Sequence, residues 1–353
     1  MIDWDRVYQI GSLLSGDTLR SRSGNEQRLR RETYFRQLVQ QVSQPMMEYL
    51  RVADGSFCFV ARPEALDRAA WIEANIGGFG TVFEPVESAL RQRLGNRVSN
   101  PLNQQTSSIL LGVLLGYLSR HVLGQYDPSL LGKEAATAGR LYFVEPNLES
   151  ARRKMSLPKE QFETWIVFHE LTHAWQFEAH PWLRQHMNQQ IRELLMSASD
   201  RLLQFDAAEL LRLAMRGQLD LRQPQRLLTG LMNPHQQRIF DGLQALMSLL
   251  EGFSNHVMDA LGPRMLPDYA RIAATFEDRQ RHKSPAETLF IRMTGLEVKL
   301  QQYQLGEAFV DAVVRRVGIE GMNQVWTSPD CLPSLQEIHQ PELWLVRMEA
   351  RAA

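Results

Sequence analysis

A chain of 353 residues and 40.6 kDa with 44% hydrophobic residues can fill a core of its own, which excludes a disordered polypeptide. Its 39 basic and 40 acidic residues are interleaved and leave a formal charge of -1, so neither nucleic acid nor an anionic membrane is expected as a partner. Cys58 and Cys331 stand far apart in no paired motif, which speaks against a disulfide framework and for a reducing compartment. The opening MIDWDRVYQI has acidic residues where a signal peptide has basic ones and no apolar run after it, so a cytoplasmic protein is expected.

In chain order, Phe57–Val60 reads as a short strand, followed by a helix through Trp71. ILLGVLLGYL, from Ile109 to Leu118, covers only half a bilayer and is read as a buried core helix whose Gly112-x-x-x-Gly116 spacing allows close helix packing. GRLYFVEPN, from Gly139 to Asn147, is expected to be a second strand. It directly precedes a helix starting near Ser156 and Pro158 and ending at Pro181. Asp206–Gly217 adds a short helix. Asn233 as N-cap, Pro234 at the first helical position and Gly262-Pro263 as the stop bound one long helix. Ser284-Pro-Ala-Glu287 is a capping box that opens another, bent near Gly295 and Gly306 and ended around Gly318. No repeat or long linker interrupts the chain. The expected fold is mainly α, one helical domain over 1–353 with a few short strands, and 1–100 as a candidate N-terminal subdomain.

WIVFHELTHAWQFEAHPW, from Trp165 to Trp182, holds the chemistry. On a helix His169 and His173 lie one turn apart on one face, so both imidazoles can reach one zinc ion, while Glu170 flanks the pair and can take the proton of an attacking water. The competing reading is a packed core helix, since Phe162, Trp165, Ile166 and Phe177 continue the same stripe. A catalytic zinc needs a third protein ligand. Glu251, an acidic residue interrupting an apolar run beside Gly252, is the first choice, and His256, five residues on and off that face, is its competitor. Asn255, one turn after Glu251, could orient a ligand imidazole.

This pattern resembles the glutamate-zincin metallopeptidases. More specifically, the whole chain resembles a bacterial zincin-like family of zinc-dependent metalloproteases or hydrolases linked by genome context to deazaflavin cofactor biosynthesis. The segments that carry the resemblance are IDWD, LLGYLSRHVLGQYD, GRLYFVEPN, FHELTHAWQFEAHPWLR, LLEGFSNHVMDALGP, KLQQYQLGEAFV and VWTSPDCLP. It implies His169 and His173 as zinc ligands, Glu170 as general base and Glu251 as third ligand. Asn255 stands where the family pattern has an aspartate. Within the segments it covers, Tyr303 and His256, with Tyr126 behind them, are the candidate donors to a developing oxyanion. The strand Arg140–Val144 is a candidate edge for an extended peptide substrate.

The expected function is therefore zinc-dependent hydrolysis, foremost of peptide bonds, with a zinc-activated water and Glu170 as base. Hydrolysis of another amide or ester by the same centre is the alternative within that chemistry. A non-catalytic metal-binding helical protein is the alternative outside it, disfavoured because a structural site needs no base. A di-iron bundle needs Glu-x-x-His on two helices, and the sequence has one copy, Glu170-Leu-Thr-His173.

Overall fold

The structure, a computed structural model, describes residues 2–16, 24–94, 101–128, 139–202, 232–281 and 297–352. The chain forms two compact units, Met1–Glu48 with Val52–Arg184 and Tyr49–Arg51 with Gln185–Ala353, and each is taken by itself. Helices dominate both, so the fold is mainly α with a small three-stranded sheet, as expected. Among the described residues no helix is long and apolar enough to cross a membrane.

The first unit runs α1 (Trp4–Ser15), α2 (Asn25–Tyr49), β1 (Arg62–Leu66), α3 (Arg68–Leu94), α4 (Pro101–Ser119), β2 (Gly124–Asp127), β3 (Arg140–Val144), α5 (Glu145–Met155) and α6 (Lys159–Glu178). The sheet order is β1-β3-β2, with β1 parallel to β3 from Arg62↔Arg140 to Leu66↔Val144 and β2 antiparallel to it. The central strand is the expected Leu-Tyr-Phe-Val run, buried throughout as a strand covered on both faces must be. Tyr142 and Val144 pack with Val7, Trp71, Ile72 and Leu115, while Phe143 stacks on Phe35 at 4.0 Å. Gly112 and Gly116 do allow close packing: a Cβ on either would lie 2.8 Å from the Cβ of Ile10 or Leu14 on α1. The α4 helix is not buried all round, however. Leu115 is fully covered, but Ile109, Leu110 and Val113 are exposed, because only one face of this apolar helix meets α1.

Three expected boundaries shift in this unit. Phe57–Val60 is not a strand; the strand is Arg62–Leu66, because a strand is defined by its partner and β3 begins opposite Arg62. Pro63 is tolerated there because β1 is an edge strand. A separate helix, α5, stands between β3 and the histidine helix. Its sequence EPNLESARRKM buries only Asn147, Leu148 and Ala151, too little apolar periodicity to read beforehand. Ser156, in the left-handed region at φ 52°, closes α5 rather than opening the next helix, and Pro158 is the N-cap of α6. The α6 helix ends at Glu178, and Pro181 begins α7 (Pro181–Leu202).

The second unit holds most of α7, then α8 (Pro234–Met265), α9 (Tyr269–Arg281), α10 (Glu297–Met322), two 3-10 turns, α11 (Leu335–His339) and α12 (Pro341–Ala352). The α8 helix opens as expected, with Asn233 and Gln236 forming a reciprocal capping box and Pro234 in the first turn. It runs past Gly262-Pro263 to Met265; Gly262 serves the approach of Tyr269, whose Cε2 would lie 2.1 Å from an added Cβ. Nor is Gly306 a bend. The α10 helix passes straight through it and breaks at Gly318, at φ 72°. A Cβ on Gly306 would lie 1.8 Å from the Ser248 carbonyl oxygen, and one on Gly252 would lie 2.0 Å from the Gly306 carbonyl carbon, so these two glycines let two helix backbones touch. The expected helix Asp206–Gly217, the Ser284–Glu287 capping box and Gly295 lie outside the described residues.

Candidate metal centre

From Phe162 to Phe177 every residue of α6 is buried except Trp165, His169 and His173. These three are spaced i, i+4, i+8, so they form one stripe, the only half-open line between Phe162 and Phe177. The histidines therefore differ from the packed residues around them. Their Nε2 atoms lie 3.2 Å apart with ring planes at 88°. Two imidazole nitrogens on one tetrahedral zinc, each about 2.0–2.1 Å from it, stand roughly 3.3 Å apart, so the pair fits the ion. The His169 ring lies nearly parallel to Trp165. His173 Nδ1 donates to Oε1 of the fully buried Gln176 at 2.9 Å, which directs the Nε2 lone pair outward. Gln176 was legible only as a polar residue three positions after a histidine.

Glu170, 8% exposed, faces the sheet. Its Oε2 accepts the Tyr126 backbone N–H at 2.7 Å, and its other oxygen makes no hydrogen bond among the described residues. The donor is on β2, an edge strand whose Tyr126 N–H is turned to α6. The approach needs Gly124, because a Cβ there would lie 2.8 Å from both Glu170 Cγ and Ile166 Cγ2. Glu170 is thus pinned by one oxygen next to the histidine pair, which is the arrangement a proton acceptor requires. Tyr126 contributes its backbone. Its side chain is buried against Phe177, and burial, then Glu178 and Asp127, push its phenol pKa up. Arg140–Val144 cannot pair with a substrate strand, because as the central strand it has both edges filled.

In the second unit, Glu251 lies on α8 and is 6% exposed. A carboxylate so buried requires a cation or strong donors to remain ionised. Asn255 donates to Glu307 Oε2 at 3.2 Å. His256 is engaged at both nitrogens, Nδ1 at 2.6 Å from Asp311 Oδ1 and Nε2 at 2.6 Å from the Tyr49 hydroxyl. Tyr303 is on α10, and its side chain lies outside the described residues. Burial, with Asp259 and then Asp311 opposing a second charge and Asn255 pulling the other way, pushes Glu307 up to about 7. The folded chain therefore holds a proton that the unfolded chain releases. Stability should be fullest below the ordinary carboxylate range, fall as pH rises toward about 7, and level off above. Thermal melts of Glu307→Gln should show that slope flattened.

Two histidines four residues apart on one helix face, with a glutamate directly after the first, are the pattern of the metal-dependent hydrolases of the zincin type. The chain matches the zincin-like metallopeptidase family over residues 2–345 and belongs to it. A comparison with curated proteins finds no match. Among solved structures, the chain is similar to a protein from Chloroflexus aurantiacus described as a "putative hydrolase with a novel fold". The two share 36% identity over 99% of each chain, with a TM-score of 0.71.

Proposed function

We propose that this protein is a zinc-dependent peptidase in which His169, His173 and Glu251 hold the ion and Glu170 is the general base. The half-open Trp165–His169–His173 stripe in the otherwise buried stretch Phe162–Phe177 carries this reading, because apolar packing alone gives no reason to leave only that line uncovered there. When bound, zinc supplies a Lewis acid that polarises a carbonyl and acidifies water. Glu170 takes the proton of the attacking water on its free oxygen and delivers it to the leaving amine, while Tyr126 N–H keeps the carboxylate from rotating away. Gln176 holds His173 in one tautomer. Tyr303 and His256 are the residues offered for the developing oxyanion; His256, whose Nδ1 is held by Asp311, would have to exchange its Nε2 contact with the Tyr49 hydroxyl for the oxyanion. The genome-context link to deazaflavin biosynthesis enters no step.

Metal analysis tests the centre. Purified protein should hold about one zinc per chain, and His169→Ala or His173→Ala should lose it. Glu251→Ala should weaken binding strongly while His256→Ala leaves it. Stoichiometric zinc in a protein lacking both histidines would overturn the assignment, and the reverse order of Glu251 and His256 would exchange their roles.

A further inference from the structure

The segment Phe57–Val60 has the sequence of a strand and no strand beside it. Burial alternates along it and into β1: Phe57, Phe59, Ala61 and Pro63 are covered or half-covered, while Cys58, Val60 and Arg62 are exposed. That period of two is the mark of an extended backbone. The Phe57 and Phe59 rings meet edge to face at 5.0 Å, on the same side. Yet the ladder with β3 starts only at Arg62↔Arg140. Among the described residues the backbone N–H groups of Phe57, Cys58 and Phe59 make no hydrogen bond. The segment is nonetheless anchored, because Glu178 at the end of α6 accepts the N–H of Val60 at 2.8 Å. Beside it runs a groove of about 730 Å3, whose wall on α2 includes Val39 and Met47. Val60, 58% exposed, leaves a large apolar side chain in the open there. Arg36 and Arg62 line the groove without an acidic partner among the described residues, and Asp54 is its only acidic lining residue.

We propose that Phe57–Val60 and this groove dock an extended segment of another polypeptide by strand addition, with apolar residues of that segment alternating with acidic ones. An anchored extended backbone with unpaired N–H groups supplies main-chain pairing, the apolar groove takes every second side chain, and the two arginines favour acidic neighbours. This surface lies wholly within the first unit and does not depend on zinc or on hydrolysis.

The probe is a fluorescein-labelled Val-Glu-Val-Asp-Val-Glu-Val amide, read by fluorescence anisotropy together with hydrogen exchange on the unlabelled complex. Half-saturation is expected on the order of 10–100 μM, with exchange slowed at Phe57 and Phe59, whose N–H groups share one edge of an extended backbone. The double variant Arg36→Glu with Arg62→Glu should bind at least about tenfold more weakly and should prefer a peptide with lysine in place of the acids. Both arginines are exposed and have no ion-pair partner among the described residues, so the variant should melt near the wild type; should it not fold, the exchange pattern of the wild-type complex decides. No saturation by about 1 mM, binding without slowed exchange at those amides, or indifference to the charge reversal would each overturn the proposal. Chelating zinc should leave docking intact, which keeps this test apart from the hydrolase reading.

Discussion

Glu170→Gln should abolish most hydrolysis while leaving the protein otherwise intact. The amide oxygen of glutamine can still accept the Tyr126 N–H, and Gly124 leaves the same room for the side chain, so the helix and its zinc content should stay near wild type. What is lost is the proton acceptor. Turnover of whichever peptide or amide substrate a library screen identifies should fall on the order of 10²- to 10⁴-fold, in kcat rather than in KM. Full activity in Glu170→Gln would sink the general-base role even with zinc bound. Loss of zinc would instead make Glu170 a ligand and revive a structural or di-iron reading.

Arg31→Met should strongly destabilise the first unit. The Arg31 guanidinium pairs with both oxygens of Glu145 at 2.7 and 2.9 Å and reaches Glu163 at 2.6 Å, tying α2 to α5 and α6. Its own charge lies over the Tyr34 and Phe35 rings. The Glu163 side chain is 4% exposed, and burial pushes its pKa up against the pull of Arg31. Removing the cation leaves a buried carboxylate that must ionise unpaired or take up a proton, a loss of about 3–5 kcal/mol and roughly 5–15 °C in Tm. With its folded pKa raised further, Glu163 should make the deficit grow as pH rises above the ordinary carboxylate range. Adding Glu163→Gln should restore much of the loss, because the orphaned charge goes with it. A melt of Arg31→Met within about 1 °C of wild type would show that the cluster contributes nothing net.

The His169–Glu170–His173 constellation was legible because all three sit on one helix, where 3.6 residues per turn convert spacing directly into geometry. The Asn233 cap was legible for the same local reason: the bonds that form it span three residues. By contrast, α5 was hidden because its polar sequence is held by neighbours rather than by its own apolar stripe. Gly306 looked like a hinge, since local propensity cannot reveal that the Ser248 carbonyl occupies the space of its missing side chain.

Thus the amino-acid order by itself determined the mainly helical fold, the helix that bears the histidines and the residue proposed as base, all consequences of short-range periodicity and residue chemistry. Only the tertiary structure decided which strand-like run became a strand, since Arg62–Leu66 and not Phe57–Val60 meets β3. It alone set the Tyr126 N–H on Glu170, because that bond needs a sheet edge to meet a helix forty-four residues further along the chain. Hydrogen bonds of that reach form only after the core has brought their partners together, and no local pattern in the chain encodes them.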